Sequence, residues 1–166
     1  MDEDEFDALY NASYRRLCAQ LYAMIGDFDE AAECVQEAFA RAWAHRRKMS
    51  SVDYPEAWVR TTACRLAVGR WRRKKYASRA ADRAVGARTE MPAVDESHVA
   101  LVAALKKLPE AQRQAIVLHH IADLPVHQVA AEVGAPTGTV KARLARGRAA
   151  LAELLAEDPG AVWKEA

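Results

Sequence analysis

Residues 121–151, IADLPVHQVAAEVGAPTGTVKARLARGRAAL, decide the fold of this chain. They read as a helix, a tight turn at Gly134, Ala135 and Pro136, and a second helix carrying basic residues and almost no acids. That arrangement is a helix-turn-helix, a motif that lays its second helix in a DNA groove. At about 100° per residue, Val140, Leu144 and Leu151 share one face, flanked by Leu154 and Leu155, so this face packs inward. The outward face holds Gly138, Thr139, Ala142, Ala145 and Arg146. Small side chains there permit a close approach, while Lys141, Arg143, Arg146 and Arg148 can meet phosphates or guanine edges. No acid interrupts 136–152. A solvated basic helix is the rival reading, and the joint agreement of turn, charge and apolar spacing weighs against it.

Length and composition set the frame. With 166 residues, 51% of them apolar, the chain can pack one domain or two small ones and is not a disordered polymer. No apolar run approaches the ~20 residues that span a bilayer. The N-terminus is acidic where a secretion signal is basic. A cytoplasmic protein without membrane insertion is expected. Cys18, Cys34 and Cys64 are odd in number and contain no CxxC pair, so neither a disulfide framework nor a thiolate metal site is suggested.

The net charge of +1 conceals a segregation. Residues 1–37 hold ten acids and two bases, 38–88 fourteen bases and three acids, 89–136 six acids and three bases, and 137–166 four acids and five bases. Two basic regions separated by an acidic one suggest two contacts with a phosphate backbone.

Helical periodicity runs through the chain and no strand-like alternation persists. An all-α fold is expected, with two small helical domains joined by a flexible linker, the second containing the helix-turn-helix. The first helix should span about Glu3 to Ile25, with Tyr10, Tyr14, Leu17, Leu21 and Met24 recurring at three and four and Gly26 closing it. Asp27 or Asp29 can cap a second helix that buries Ala31, Cys34, Val35, Ala38, Phe39, Ala42 and Trp43. A charged loop should follow from His45 to Tyr54, and Pro55 should start a third helix ending near Tyr76 in the run Arg70, Trp71, Arg72, Arg73, Lys74, Lys75. Between Ala77 and Glu96 large apolar residues are few, as in a linker. Ser97 looks like the cap of a helix through Leu108, and Pro109 opens another through about Ile121. The expected domains are 1–76 and 97–157, with a linker at 77–96 and a tail at 158–166. About twenty linker residues stretch to roughly 70 Å, close to two turns of B-DNA at ~34 to 36 Å each.

Two segments carry a family resemblance. DEAAECVQEAFARAW, Asp29 to Trp43, resembles the polymerase-binding helix of bacterial sigma factors, whose hallmark is an acid followed by V-Q-E-x-F. LPEAQRQAIVLHHIADLPVHQVAAEVGAPTGTVKARLARGRAAL, Leu108 to Leu151, is similar to their promoter-reading C-terminal domain. With these two domains in this order, from about Phe6 to Leu155, the chain resembles an extracytoplasmic-function sigma factor of the sigma-70 family in its two-domain form.

The resemblance implies core RNA polymerase and promoter DNA as partners, and leaves room for a sequestering anti-sigma factor. It implies that Glu33, Gln36, Glu37 and Arg41 dock on polymerase. It also implies that 45–75 opens and reads the minus-ten element, using Trp58, Arg60, Arg65, Arg70, Trp71, Arg72 and Arg73. Separated strands need cations for the backbone and aromatic walls for an extruded base. For Trp58, one turn ahead of Thr62 and Leu66, packing in the core is the favoured alternative. The minus-thirty-five duplex falls to Thr139, Lys141, Arg143, Arg146 and Arg148.

The chain departs from the family in places. Many relatives carry Ala-Arg-Asn and an Asp four residues after the Asn, whereas here Ala63, Cys64 and Arg65 are followed by Gly69. A contact made by that Asn does not transfer to Arg65, whose cationic fork prefers phosphate or guanine. Gly69 costs about 1 kcal/mol relative to Ala inside a helix, so a bend or close approach is expected there. Ala32 stands for a usual acid, and Pro125 and Pro136 stand where Ser is common.

Neighbouring His119 and His120 point about 100° apart, and His98 and His127 lie on other elements, so no metal site forms. Cys64 beside the basic helix could be a redox-sensitive thiol, with a small buried residue the favoured alternative. No phosphate-binding glycine loop, nucleophile elbow or paired carboxylates occur. No catalytic site, metal or cofactor is expected, and the chain is not read as an enzyme. Two rivals remain. One is a stand-alone regulator that dimerises through its N-terminal helices, and the other is a scaffold whose basic face binds RNA or acidic proteins.

Overall fold

Asp2 starts the first helix, α1 (Glu3–Ile25), through a reciprocal cap: its carboxylate accepts from the Glu5 amide at 2.8 Å while the Glu5 carboxylate accepts from the Asp2 amide at 3.0 Å. Gly26 ends α1 in the left-handed region, φ 71°, where its N–H bonds the Tyr22 carbonyl. Asp27, of the two acids expected, caps α2 (Phe28–Ala44) by accepting from the Glu30 amide. The computed structural model describes residues 1–77 and 96–157, and the chain divides into two compact units, Met1–Glu90 and Met91–Ala166. Only helices and turns occur among the described residues. None of these helices is long and apolar enough to cross a membrane.

In the first unit α1, α2 and α4 (Pro55–Ala77) pack on one another. Leu17, Leu21 and Met24 of α1 meet Ala31, Cys34, Val35, Ala38, Phe39 and Ala42 of α2 and Val59, Ala63, Leu66 and Ala67 of α4, all buried. The alanine-rich face of α2 lets three helices crowd one axis, and Ala32 is part of that core. The aromatic residues sit at its rim. Tyr10 is half-buried, its ring 4.9 Å from that of Phe39, and Trp43 is half-buried between Phe6 and the Arg46 guanidinium. Burial pushes the thiols of Cys18 and Cys34 above their ordinary pKa. Cys64 is half-buried, with its sulfur 3.5 Å from that of Met24.

Two expectations for this unit need correction. The segment 45–54 is not all loop, because a single turn, α3 (Arg46–Met49), forms where the His45 carbonyl accepts from the amides of Lys48 and Met49. Met49 is buried and anchors that turn. Nor does Gly69 mark a close approach: α4 runs through it, and a Cβ there would meet nothing within 4 Å.

The second unit comprises α5 (Glu96–Lys106), α6 (Glu110–Ile116), α7 (Val126–Val133) and α8 (Thr137–Ala156). Ser97 lies inside the first turn of α5 rather than capping it. After α6 the backbone widens into a π-helical segment, Val117–Ile121, which sequence periodicity does not distinguish from an α-helix. It closes with the Ala122 amide on the Val117 carbonyl, five residues back. Asp123 then takes φ 56°, which a short polar side chain tolerates. Val102, Leu105, Leu108, Ile116, Val117, Leu118, Val129, Val140, Leu144 and Leu151 form the core. Gly147 sits where α8 crosses α6, and a Cβ on it would stand 2.9 Å from Cγ1 of Ile116. The expected linker falls mainly on 78–95, and the tail on 158–166; both stretches lie outside the described residues.

Candidate nucleic-acid and polymerase interfaces

The turn between α7 and α8 is built by chain stereochemistry. Gly134 adopts φ 67°, its N–H and that of Ala135 both bond the Ala130 carbonyl, and Pro136 in extended geometry lets its carbonyl accept from Val140 to open α8. This fixes which face of α8 is outward. Val140, Leu144, Gly147 and Leu151 are buried, whereas Gly138, Ala142, Ala145 and Ala149 form an exposed strip of small residues. By helical spacing, Lys141 and Arg148 flank the strip on one side, with Thr139, Arg143 and Arg146 on the other. All of these flanking residues are exposed except Arg143, which is half-buried. A narrow ridge with cations along both edges matches a major groove whose two walls are phosphates.

Arg148 is less free than its neighbours. Its guanidinium lies 3.4 Å from Nε2 of His120 on the π-helical segment. Burial, then the neighbouring His119 and Arg148, hold the His120 pKa below its ordinary value. His119 and His120 do meet, their rings edge to face at 4.8 Å, and His119 also holds the Leu124 carbonyl at 2.8 Å through Nδ1. Their roles here are packing and turn closure.

In the first unit the expected cations divide. Arg60 is 5% exposed, its Nη1 donating to Oε1 of Gln20 at 3.2 Å and lying 3.6 Å from Glu56, which also pairs with Arg16 at 2.6 Å. It is therefore corrected from a strand-binding residue to an internal brace, because α4 is covered by both α1 and α2 and loses that edge to packing. Arg70, half-buried, lies along α2 instead: it bridges Glu33 at 2.8 Å and Glu37 at 3.1 Å. Lys74 pairs with Glu30 at 2.7 Å. Arg65, Trp71, Arg72 and Arg73 remain exposed.

The same ion pairs shape the polar face of α2. Glu33, Gln36 and Arg41 are exposed and Glu37 is half-buried, so the four expected docking residues share one stripe. Glu37 accepts from Arg41 at 2.6 Å, and this bond, with the charge of Arg70, holds its carboxyl below the ordinary value. Gln36 donates to the Tyr14 hydroxyl at 3.2 Å. The stripe is thus alternately charged and largely pre-arranged.

Trp58 is corrected from core to wall. It is half-buried, because Val59 and Ala63 rather than Trp58 and Thr62 point into the helix contacts. With Arg41, His45, Thr62, Arg65 and Leu66 it lines an open cleft of about 320 Å³. Sequence reasoning missed His45 in this group, and gave Arg41 only to the docking stripe. It also missed Tyr54, 69% exposed at the foot of α4, where its carbonyl accepts from the Trp58 amide. An exposed aromatic before a Pro-initiated helix was the available signal.

Two family models match the chain, sigma-70 region 2 over residues 9–76 and sigma-70 region 4 over residues 98–151. The sigma factor SigK of Mycobacterium sp. strain KMS, of the extracytoplasmic-function class, is 31% identical over 161 residues, covering 88% of this chain and 80% of that protein. This chain is an extracytoplasmic-function sigma factor of the sigma-70 family. SigW of Bacillus subtilis, of the same class, is 28% identical over 172 residues, covering 93% of this chain and 90% of its own. In fold, the chain is similar to the sigma factor RpoE of Bartonella quintana, solved with the anti-sigma factor NepR, at a TM-score of 0.75 and 23% identity, covering 93% of this chain and 98% of that one. As a sigma factor, the protein serves promoter-specific initiation by RNA polymerase, a regulatory task in transcription, with core polymerase and promoter DNA as its partners.

Proposed function

We propose that the two units divide promoter recognition in the cytoplasm between a melted and a paired stretch of DNA. The first unit, within 1–76, docks on core polymerase through Glu33, Gln36, Glu37 and Arg41 and engages the minus-ten element with Trp58, Arg65, Trp71, Arg72 and Arg73. The second, within 97–157, reads the minus-thirty-five duplex through Thr139, Lys141, Arg143, Arg146 and Arg148. Residues 77–96 link them. The observation that carries this reading is the outward face of α8, where small residues run between two rows of cations and no acid lies within 136–152. Polymerase does the bond making, and the sigma factor supplies position and sequence preference without a catalytic group, metal or cofactor of its own. A sequestering anti-sigma factor would compete for the docking stripe on α2.

Alanine at both Lys141 and Arg146 tests the second contact. Each lost phosphate contact should lower the slope of log affinity against log salt by about one, so the pair should weaken promoter binding severalfold and flatten its salt dependence by about two. Unchanged footprints would remove the assignment. Glu33→Lys with Glu37→Lys should abolish retention on immobilised core polymerase, and retention equal to wild type would remove the docking stripe.

A further inference from the structure

Where α8 meets the π-helical segment, two exposed side chains set their nitrogens side by side, Nη1 of Arg148 lying 3.4 Å from Nε2 of His120. A guanidinium can only donate, so in this contact Nε2 is bare and His120 neutral. The separation is long for a hydrogen bond. His119 is committed elsewhere, its Nδ1 donating to the Leu124 carbonyl at 2.8 Å. Partial desolvation, then the charges of His119 and Arg148, keep a proton off His120 in the protein alone. The helices packed on this segment bring Glu110 and Arg113 on α6 and His127 and Glu132 on α7. The groups that act on His120 are the two basic ones, and neither offers it an anion.

We propose that His120 and Arg148 form a clamp for one backbone phosphate beside the minus-thirty-five duplex, closed by a proton that His120 takes up as the DNA arrives. The inference rests on the duplex-reading assignment of α8. It goes beyond that assignment by adding a contact from outside the helix-turn-helix and by tying it to pH. Two donors 3.4 Å apart can both reach one oxygen at about 2.8 Å, or take two oxygens of the same phosphate. Arg148 flanks the strip of small residues on the same side as Lys141, the side turned to one wall of the groove, and His120 extends that row beyond α8. A phosphate there reverses the electrostatics of the pair. It offsets the guanidinium charge and makes the protonated imidazole the favoured form. The proton comes from solvent, binds Nε2 and is donated in a hydrogen bond to a phosphate oxygen. Each duplex bound by neutral His120 therefore takes up one proton.

The test measures binding of holoenzyme, assembled from core polymerase and the full chain, to a promoter duplex on which it initiates. Affinity is followed from about pH 8 to about pH 5.5, across the histidine range, at constant ionic strength. The ratio of wild-type affinity to that of His120→Gln should rise about tenfold over this range, the gain of one charge-assisted bond. The wild-type slope of log affinity against log salt should steepen by about one. His120→Arg, charged throughout, should bind more tightly than wild type at the alkaline end and lose that advantage in acid. Titration calorimetry in buffers of different ionisation enthalpy should show proton uptake on DNA binding near neutral pH, reduced in both variants. A constant ratio of wild type to His120→Gln, or His120→Arg binding no better than wild type at the alkaline end, overturns the clamp and leaves the duplex-reading assignment intact. Proton uptake that occurs on mixing the chain with core polymerase before DNA, and is lost in His120→Gln, gives the site to a polymerase carboxylate and also overturns the clamp. Affinity unmoved by alanine at Lys141 and Arg146 contradicts the duplex-reading assignment itself.

Discussion

The basic helices α4 and α8 look alike in sequence and behave differently in the fold. On α8, Lys141 and Arg146 stand in solvent beside alanines and a glycine, with no acid nearby along the chain. On α4, Arg60 is braced by Gln20 and Glu56, Arg70 by Glu33 and Glu37, and Lys74 by Glu30. A count of cations therefore identifies a DNA-binding surface only when the facing helices bring no carboxylates. The acidic excess of 1–37 and the basic excess of 38–88 are partly two halves of one ion-pair lattice across α2 and α4.

That contrast can be broken by substitution. Arg60→Ala leaves the buried Gln20 acceptor unpaired, while Glu56 keeps Arg16, and should destabilise the first unit by about 2 kcal/mol, whereas Arg70→Ala, at a half-exposed pair, should cost no more than about 1 kcal/mol. Urea unfolding of the full chain followed by the far-ultraviolet signal measures both, and equal costs would erase the distinction between brace and lattice. A second pair compares glycines. Gly147→Ala drives a methyl group into Ile116 and should cost the second unit about 2 kcal/mol, while Gly69→Ala meets open space and should stabilise α4 by up to about 1 kcal/mol. Thermal melts giving the same sign for both would contradict the α6–α8 crossing.

Acid should also separate the two units, with the smallest effect. Glu37 has a lowered folded pKa, so its contribution is present above the ordinary carboxylate value of 4.5 and is lost as pH falls through the folded value below it. His120 is a base with a lowered folded pKa, so the unfolded chain takes up its proton first, and stability declines as pH falls through the ordinary value of 6.5. The second unit should therefore begin to weaken at a higher pH than the α2 stripe, and His120→Gln should flatten that limb. A pH profile in which the variant matches wild type removes the histidine from the account.

Much of this was legible from one-dimensional pattern. The limits of α1 follow from local stereochemistry, with Gly26 ending it in the left-handed region. The helix-turn-helix follows from Gly134, Pro136 and the spacing of Val140, Leu144 and Leu151. Features made by contacts distant in sequence were hidden. The burial of Arg60 depends on a glutamine forty residues earlier, and the need for Gly147 depends on Ile116 crossing beneath it. Trp58 was misjudged by one position of helical phase, enough to exchange core for cleft. The π-helical segment adds one residue per turn at Val117–Ile121, a change that apolar spacing over five residues does not register.

Run-off transcription with purified core polymerase on a genomic promoter library tests the central claim most directly. The expected result is initiation from a small set of templates sharing two sequence elements, dependent on this chain and lost when Lys141 and Arg146 are both alanine. Core polymerase that starts nowhere in the presence of the chain, or starts with no shared element among its templates, would contradict the account.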